Sequence, residues 1–409
     1  MKKIILAVAV ILFTAVFVYS QDSVKVMFDK LWVTKDKTER KILKEKIIEM
    51  SPDSEYGLLC RSMLKETDST TKIDLCTQAI DLRNDFWEAY LQRGLVYGKE
   101  FEDYARALED LNKAIEINPY SALAYDSRGT VYNKGFKEYQ KTVEDYTKAL
   151  ELDSNDVDLY IGRGTIFGIH LKDYTRALAD FSKAIEREPN STTGYNYRAY
   201  VYSECLHKYL KATKDLTRVI ELDINDTDAY FYRGKAYLDW GRYYDRALAD
   251  FNKVIELDSN YTNAYYNRSI AYNYSGEYQK ALSDLNKAGL LRPDDANVYY
   301  GFGIVNKYIG YYSISIKNFT KAIEIDSNMI KAYFQRGWMR NKCKDYKGAI
   351  ADFTRVIENW PESGDAYYER SKAYKFLNNE KKAKDDMEKA KKLGYIDLDK
   401  LLDTNIEDE

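Results

Sequence analysis

A tyrosine returns along this chain at a nearly fixed interval, and no other feature constrains the fold as strongly. Tyr56, Tyr90, Tyr125, Tyr160, Tyr195, Tyr230, Tyr265, Tyr299, Tyr333 and Tyr367 are spaced by 34 residues once, 35 five times and 34 three times. Such a period means one supersecondary unit copied in tandem, each copy burying its apolar face on its neighbours. Residues 228–260 show the unit clearly. In their first half Tyr230, Gly234 and Tyr237 share one helical face, and in their second half Ala247, Phe251, Val254 and Ile255 do the same. Trp240 and Gly241 mark the break between them. Each half is about a dozen residues long, too short to be a stable helix alone, so the two must be held by packing. The expected fold class is an all-α solenoid of helix pairs.

The small residues say how the pair packs. Four places after the opening Tyr stand Cys60, Gly94, Gly129, Gly164, Ala199, Gly234, Ser269, Gly303, Gly337 and Ser371. Glycine inside a helix costs about 1 kcal/mol relative to alanine, so its return needs a reason, and close approach of the second helix supplies one. The column expected to face it is also small: Ala107, Thr142, Ala177, Ala212, Ala247, Ala281, Ser315, Ala349 and Ala383.

The run Tyr230, Gly234, Tyr237, Tyr244, Ala247, Phe251 and Val254, with Pro119, Pro189, Pro293 or Pro361 six residues before the next Tyr, resembles the tetratricopeptide repeat consensus. The resemblance covers residues 54–394. It implies a right-handed superhelix of about ten tandem helix-turn-helix repeats, whose first helices line a concave groove where partners lie. One column departs from the family, since Arg stands where the consensus has Leu. That Arg recurs as Arg93, Arg128, Arg163, Arg198, Arg233, Arg268, Arg336 and Arg370. An acid recurs just before the large apolar residue of the second helix, as Asp110, Asp145, Asp180, Asp215, Asp250, Asp284, Asp352 and Asp386. Where one is lost the other is lost too, as Phe302 with Asn318 and Leu59 with Leu75. The two columns are therefore expected to pair in a partly buried ladder, within a repeat or across one boundary. Solvated charges inherited by duplication are the alternative.

The ends differ from the repeats. Residues 1–20 place two lysines before an apolar run from Ile4 to Val18, with Val18 and Ser20 suited to cleavage before Gln21. They read as an export signal, the alternative being an uncleaved membrane anchor. Residues 21–53 hold amphipathic stretches without the Tyr and Gly landmarks, as expected of a cap with one unpartnered face. Residues 395–409 form a short tail. The formal charge is −3 with both signs interspersed, so no nucleic-acid footprint is present. An exported chain with packed Asn sequons such as Asn267 and Asn318 fits a bacterial periplasm or envelope.

Catalytic signatures are missing from the sequence. There are two histidines, His170 and His207, with no second ligand near either, and no phosphate-binding loop or nucleophile elbow. No cofactor or metal is expected, and an enzyme built from scattered carboxylates is the remote reading. Cys60 and Cys76 occupy facing places of one repeat, so either a disulfide or two buried thiols fits. Cys205 and Cys343 fall at turns and are expected to be free.

The resemblance directs attention to the residue after each opening Tyr, which should face the groove. It changes from Leu91, Asp126, Ile161 and Asn196 to Phe231, Tyr266, Tyr300, Phe334 and Tyr368. Tyr274, Tyr308 and Phe376, eight places further on, and Trp338 belong to the same expected face. Two functions follow. One is a non-catalytic scaffold that binds another protein or peptide in the groove, and the other is a cell-wall glycan platform using its aromatic rings. The rings could equally pack only between neighbouring first helices.

Overall fold

The computed structural model describes residues 22–395. The export segment read at 1–20 and tail residues 396–409 lie outside them. Among the described residues every regular element is helical. The chain divides into two compact units, Met1–Val201 and Tyr202–Glu409. The division falls inside the repeat opened by Tyr195, whose first helix, Thr192–Tyr200, belongs to the first unit and whose second, Tyr209–Leu222, to the second.

In the first unit, helices at 22–33 and Lys37–Met50 form the cap. Their Val24, Phe28, Leu31, Leu43 and Ile47 share one core with Leu58, Leu59, Cys60, Leu75, Cys76 and Phe86 of the first repeat. The departures from the repeat pattern thus complete an apolar core at this end. Cys60 and Cys76 are free, buried thiols, so the bridge weighed from their facing places is not formed. Burial pushes their pKa values up to about 12 and about 11. Helix pairs follow, with Trp87–Glu100 and Tyr104–Ile117 as the first regular one.

The second unit repeats the pairing, from Thr227–Asp239 with Tyr244–Leu257 to Gly364–Phe376 with Glu380–Lys392. Between repeats, Asp223, Asp258 and Asp326 each accept a hydrogen bond from the backbone N–H two residues on, at 2.9 Å. This Asx turn ends one second helix and launches the next first helix.

The two spacings in the sequence have one structural cause. Second helices begin at Tyr104, Tyr139 and Tyr174 in 35-residue repeats and at Tyr278, Tyr312 and Tyr346 in 34-residue ones. The extra residue therefore sits in the turn within the repeat. In 35-residue repeats the N–H entering the second helix reaches six residues back, as from Asp103 to Tyr97 O (2.9 Å) and from Asp173 to Phe167 O (2.8 Å). In 34-residue repeats it reaches five, as from Glu277 to Tyr272 O (2.8 Å) and from Tyr311 to Asn306 O (2.9 Å). Three of the longer turns contain a π-helical stretch, Tyr132–Phe136, Ile166–His170 and Val201–Cys205, the geometry that absorbs an inserted residue.

Gly234 meets a residue other than the expected one. A Cβ there would stand 2.9 Å from the Phe251 ring and 3.1 Å from the Asp250 Cβ. At Gly164 it would stand 2.7 Å from the Phe181 ring. The sequence paired this column with small Ala247, but the structure sets it against the large ring four places later. The glycine leaves room for that ring, and at Gly94 a Cβ would instead meet Leu111 at 3.1 Å and the Ala107 carbonyl at 3.2 Å.

The Arg and Asp columns meet within each repeat. Nε and Nη2 of Arg93, Arg128, Arg163, Arg233, Arg268, Arg336 and Arg370 donate to both oxygens of Asp110, Asp145, Asp180, Asp250, Asp284, Asp352 and Asp386, at 2.6–3.0 Å. The third nitrogen, Nη1, crosses to the preceding repeat. There it meets Thr77, Asn112, Thr147, Thr217, Asn252, Thr320 or Thr354, at 2.6–3.1 Å. Each guanidinium also lies over its own opening Tyr, as Arg233 over Tyr230 at 5.6 Å. One side chain thus ties both helices of its repeat to the repeat before. Burial raises the Asp110 and Asp250 pKa values, and the guanidinium only partly opposes it. At these two carboxylates desolvation outweighs the attraction, whereas the bonds to Asp110 and Asp145 raise the Arg93 and Arg128 pKa values.

Candidate functional site

All nine aromatic residues expected on the groove lie in the second unit, and they fall into three groups. Phe231 and Tyr368 are buried, Phe231 packing on Phe251 and Tyr261, and Tyr368 stacking on Tyr395 at 4.1 Å. Tyr266, Tyr300, Phe334 and Trp338 are half-buried. Tyr300 and Phe334 each rest on the large ring of their own second helix, Phe319 and Phe353. Tyr274, Tyr308 and Phe376 are exposed, yet each spends one face on the Tyr that starts the preceding second helix. Tyr274 stacks on Tyr244 at 5.2 Å, Tyr308 on Tyr278 at 6.4 Å and Phe376 on Tyr346 at 4.7 Å. In the first unit His170 fills the same role, stacked on Tyr139 at 3.9 Å. Packing between neighbours therefore accounts for much of the aromatic column.

Four of the nine do converge. Tyr266, Tyr274, Tyr300 and Tyr308 line a trough of about 290 Å³ between Thr262–Tyr274 and Ala296–Ile309, the first helices of successive repeats. Its floor is Ile270, Gly301, Ile304 and Val305. A Cβ on Gly301 would collide with Leu285 and close on the Tyr266 ring, so the glycine keeps this floor open. Four polar side chains, Ser269, Asn273, Lys307 and Gln335, complete the lining.

Sequence reasoning missed Asn273, Lys307 and Gln335. Asn273 and Lys307 stand eight places after the opening Tyr of successive repeats, in a column that is also polar at Asn133, Ser203, Asn341 and Lys375 and small or apolar at Gly98, Gly168 and Leu238, so it carried no distinguishing signal. Asn273 is 8% exposed, and its Oδ1 has no hydrogen-bond donor among the described residues. Lys307 Nζ donates to Gln335 Oε1 at 3.1 Å and lies 5.0 Å from the Tyr308 ring and 5.6 Å from that of Trp338. Burial alone lowers its pKa. Burial raises those of the Tyr266 and Tyr300 hydroxyls, Tyr266 to about 12, so both are neutral donors at physiological pH.

A smaller cavity of about 240 Å³ lies in the first unit, lined by Gly94, Gly98, Lys99, Asp126, Thr130 and Lys134 among others. Burial, with Asp156 nearby, raises the Asp126 pKa to about 6. Among the described residues no group of three or more His, Cys, Asp or Glu side chains could hold a metal ion. None of the described helices is long and apolar enough to cross a membrane.

Models of the tetratricopeptide repeat match residues 88–121, 227–261 and 364–393, and a second model of the same description matches 331–363. No curated protein matches the chain. Among solved structures, it is similar to YrrB, described as a TPR protein with an unusual peptide-binding site. The two are 31% identical over 47% of this chain and 96% of that one, with a TM-score of 0.41. It is similar to a tetratricopeptide repeat protein from Parabacteroides merdae, 20% identical over 62% of this chain and 98% of that one, TM-score 0.47. Yeast Tom70 is 16% identical over 94% of both chains, TM-score 0.45.

Proposed function

The chain belongs to the tetratricopeptide repeat family, and from that premise we propose that it is a non-catalytic envelope scaffold holding an extended segment of a partner protein. The family generally builds interaction scaffolds. The segment lies along the first helices of the second unit. The observation that carries this reading is the trough between the Tyr265 and Tyr299 repeats, with its tyrosine walls and the unpartnered Asn273 Oδ1. Pockets that combine aromatic walls with a few convergent polar groups are where peptides anchor. The envelope location rests on the lysine-led apolar segment at residues 1–20.

The test is a photocrosslinking amino acid placed at Tyr308, on the rim of the trough, or at Leu290, exposed on a second helix. In the native envelope, one discrete partner crosslinked from Tyr308 and not from Leu290 is the expected result. Equal capture from both sites, or from neither, refutes it. A second reading, a glycan platform, is favoured by the free faces of Tyr274 and Tyr308. It requires sedimentation with purified cell wall that is lost when both are changed to Ala.

A further inference from the structure

The cations around the trough differ from the ion pairs along the second helices. On the second helices, lysines pair with a glutamate three residues on: Lys148 with Glu151 at 3.0 Å and Lys253 with Glu256 at 2.6 Å. Lys307 has no such partner. Its polar contact is a neutral carboxamide, Gln335, and no carboxylate among the described residues comes within ion-pair distance. Lys331, at the start of the next first helix, repeats the arrangement, with Nζ on Asn297 Oδ1 at 3.1 Å and over the Tyr300 ring at 4.5 Å. Two ammoniums thus flank one patch of tyrosines. Each rests on an amide and on rings, but Asp295 and Asp326 lie near the exposed Lys331, so the demand for an anion is stronger at the half-buried Lys307.

The buried Asn273 Oδ1 adds the opposite demand, a hydrogen-bond donor. A ligand satisfying both must bring anions and an N–H to one surface. An extended acidic polypeptide does so, with side-chain carboxylates and backbone amides. A neutral glycan offers hydroxyl donors and no charge. The spacing follows from the helix: Lys331 sits on Asn297, and Asn297 is ten residues before Lys307 on Ala296–Ile309. At ~1.5 Å per residue that is about 15 Å along this helix, while Gln335, which holds Lys307, is only about 6 Å from Lys331 along the next one. An extended chain covers about 6–15 Å in roughly two to five residues.

We propose that the trough takes an extended acidic segment of a partner protein, with two Asp or Glu side chains roughly two to five residues apart. One carboxylate pairs with Lys307, the other pairs with Lys331, and a backbone N–H between them donates to Asn273 Oδ1. This rests on the groove reading above and specifies its ligand.

The experiment selects short random peptides on the immobilised full-length chain and measures the enriched sequences by fluorescence anisotropy. The expected result is enrichment of acidic pairs at the stated spacing. Lys307→Met should weaken these peptides by about tenfold or more. Replacing the matching acidic residue by Gln should weaken them equally, with no further loss when the two changes are combined. Amidated and free C-termini should bind alike, because the anions are side chains. Lys307→Gln and a melting curve for each variant separate lost charge from lost fold. Enriched peptides that lack acidic residues yet lose binding on Tyr300→Ala keep the groove and overturn this ligand. Binding abolished by amidation also overturns it. No enrichment removes the groove reading and this one together.

Discussion

Exchanging Arg233 and Asp250 for the pair found in the Tyr299 repeat tests what the ladder does. Arg233→Phe removes a guanidinium that makes bonds of 2.9 and 2.7 Å to Asp250 and one of 3.0 Å to Thr217. Asp250 is 4% exposed, so the change strands a carboxylate inside the repeat. Breaking a buried pair from one side costs about 3–5 kcal/mol. Asp250→Asn leaves the less buried guanidinium with a neutral acceptor, at a cost of about 1.5–3 kcal/mol. The double variant strands no charge and sheds the desolvation cost that raises the Asp250 pKa, so its loss should be about 1 kcal/mol or less. The coupling should therefore exceed about 2 kcal/mol. Repeat arrays lose all-or-none unfolding, so a single midpoint is a poor readout. The measurement is amide hydrogen exchange over Thr227–Asp239 and Tyr244–Leu257, converted to local opening free energies. Additive single losses, with coupling within about 0.5 kcal/mol, would refute the ladder as a paired unit.

Three further outcomes follow. Gly234→Leu drives a side chain into the Phe251 ring, already 2.9 Å from the position of a Cβ, and should cost about 1–3 kcal/mol or more; an unchanged melting temperature would contradict the packing. Glu88 is 9% exposed, its Oε2 lacks a partner among the described residues, and burial raises its pKa to about 7. The fold keeps that proton while the unfolded chain releases it near pH 4.5, so stability should fall by about 3 kcal/mol as pH rises from there to 7, then level off. Glu88→Gln should flatten that slope in urea titrations across pH, and an unaltered slope would count against it. Cys60 and Cys76 should resist alkylation in the native chain and both react once it is unfolded without reductant, whereas a mass showing a bridge would contradict the free thiols.

The helix pairing was legible because its causes are periodic: rings every 34 or 35 residues, glycines four places on and turns between. The joint absence of Arg and Asp in the Tyr56 and Tyr299 repeats pointed to a pair, and the structure holds that pair within the repeat. The third arm of each arginine was not legible. Its partners, Thr77, Asn112, Thr147 and their equivalents, belong to the repeat before, and polar residues on an outer helix look solvated in sequence. The glycine was matched to Ala247 because small residues were assumed to face small ones, although a glycine also leaves room for a ring. For the groove the obstacle is similar. An aromatic residue that packs on its neighbour and one that offers a face to a ligand have the same sequence pattern, and Phe231 and Tyr274 differ only in what covers them.

Of the two repeats that abandon the ladder, the one opened by Tyr299 has a first helix that forms a wall of the trough. Phe302 replaces the arginine and packs with Tyr265, Leu285, Val298 and Val305, so this junction is held by apolar contact instead of by a guanidinium crossing to the preceding repeat. Its polar neighbour at the crossing place, Asn286, is left exposed. An arginine here would also demand a buried acid in place of Asn318, which instead bonds to Ile314 O at 3.0 Å. Lys307 has no carboxylate within ion-pair distance among the described residues, whereas Lys331, held on Asn297, has Asp295 and Asp326 nearby. In other repeats an Asp within the fold holds the arginine, and several second-helix lysines pair with a Glu, as Lys253 with Glu256. Lys307 instead rests on an amide and on rings inside the trough, and that charge has a reason to seek an acidic partner.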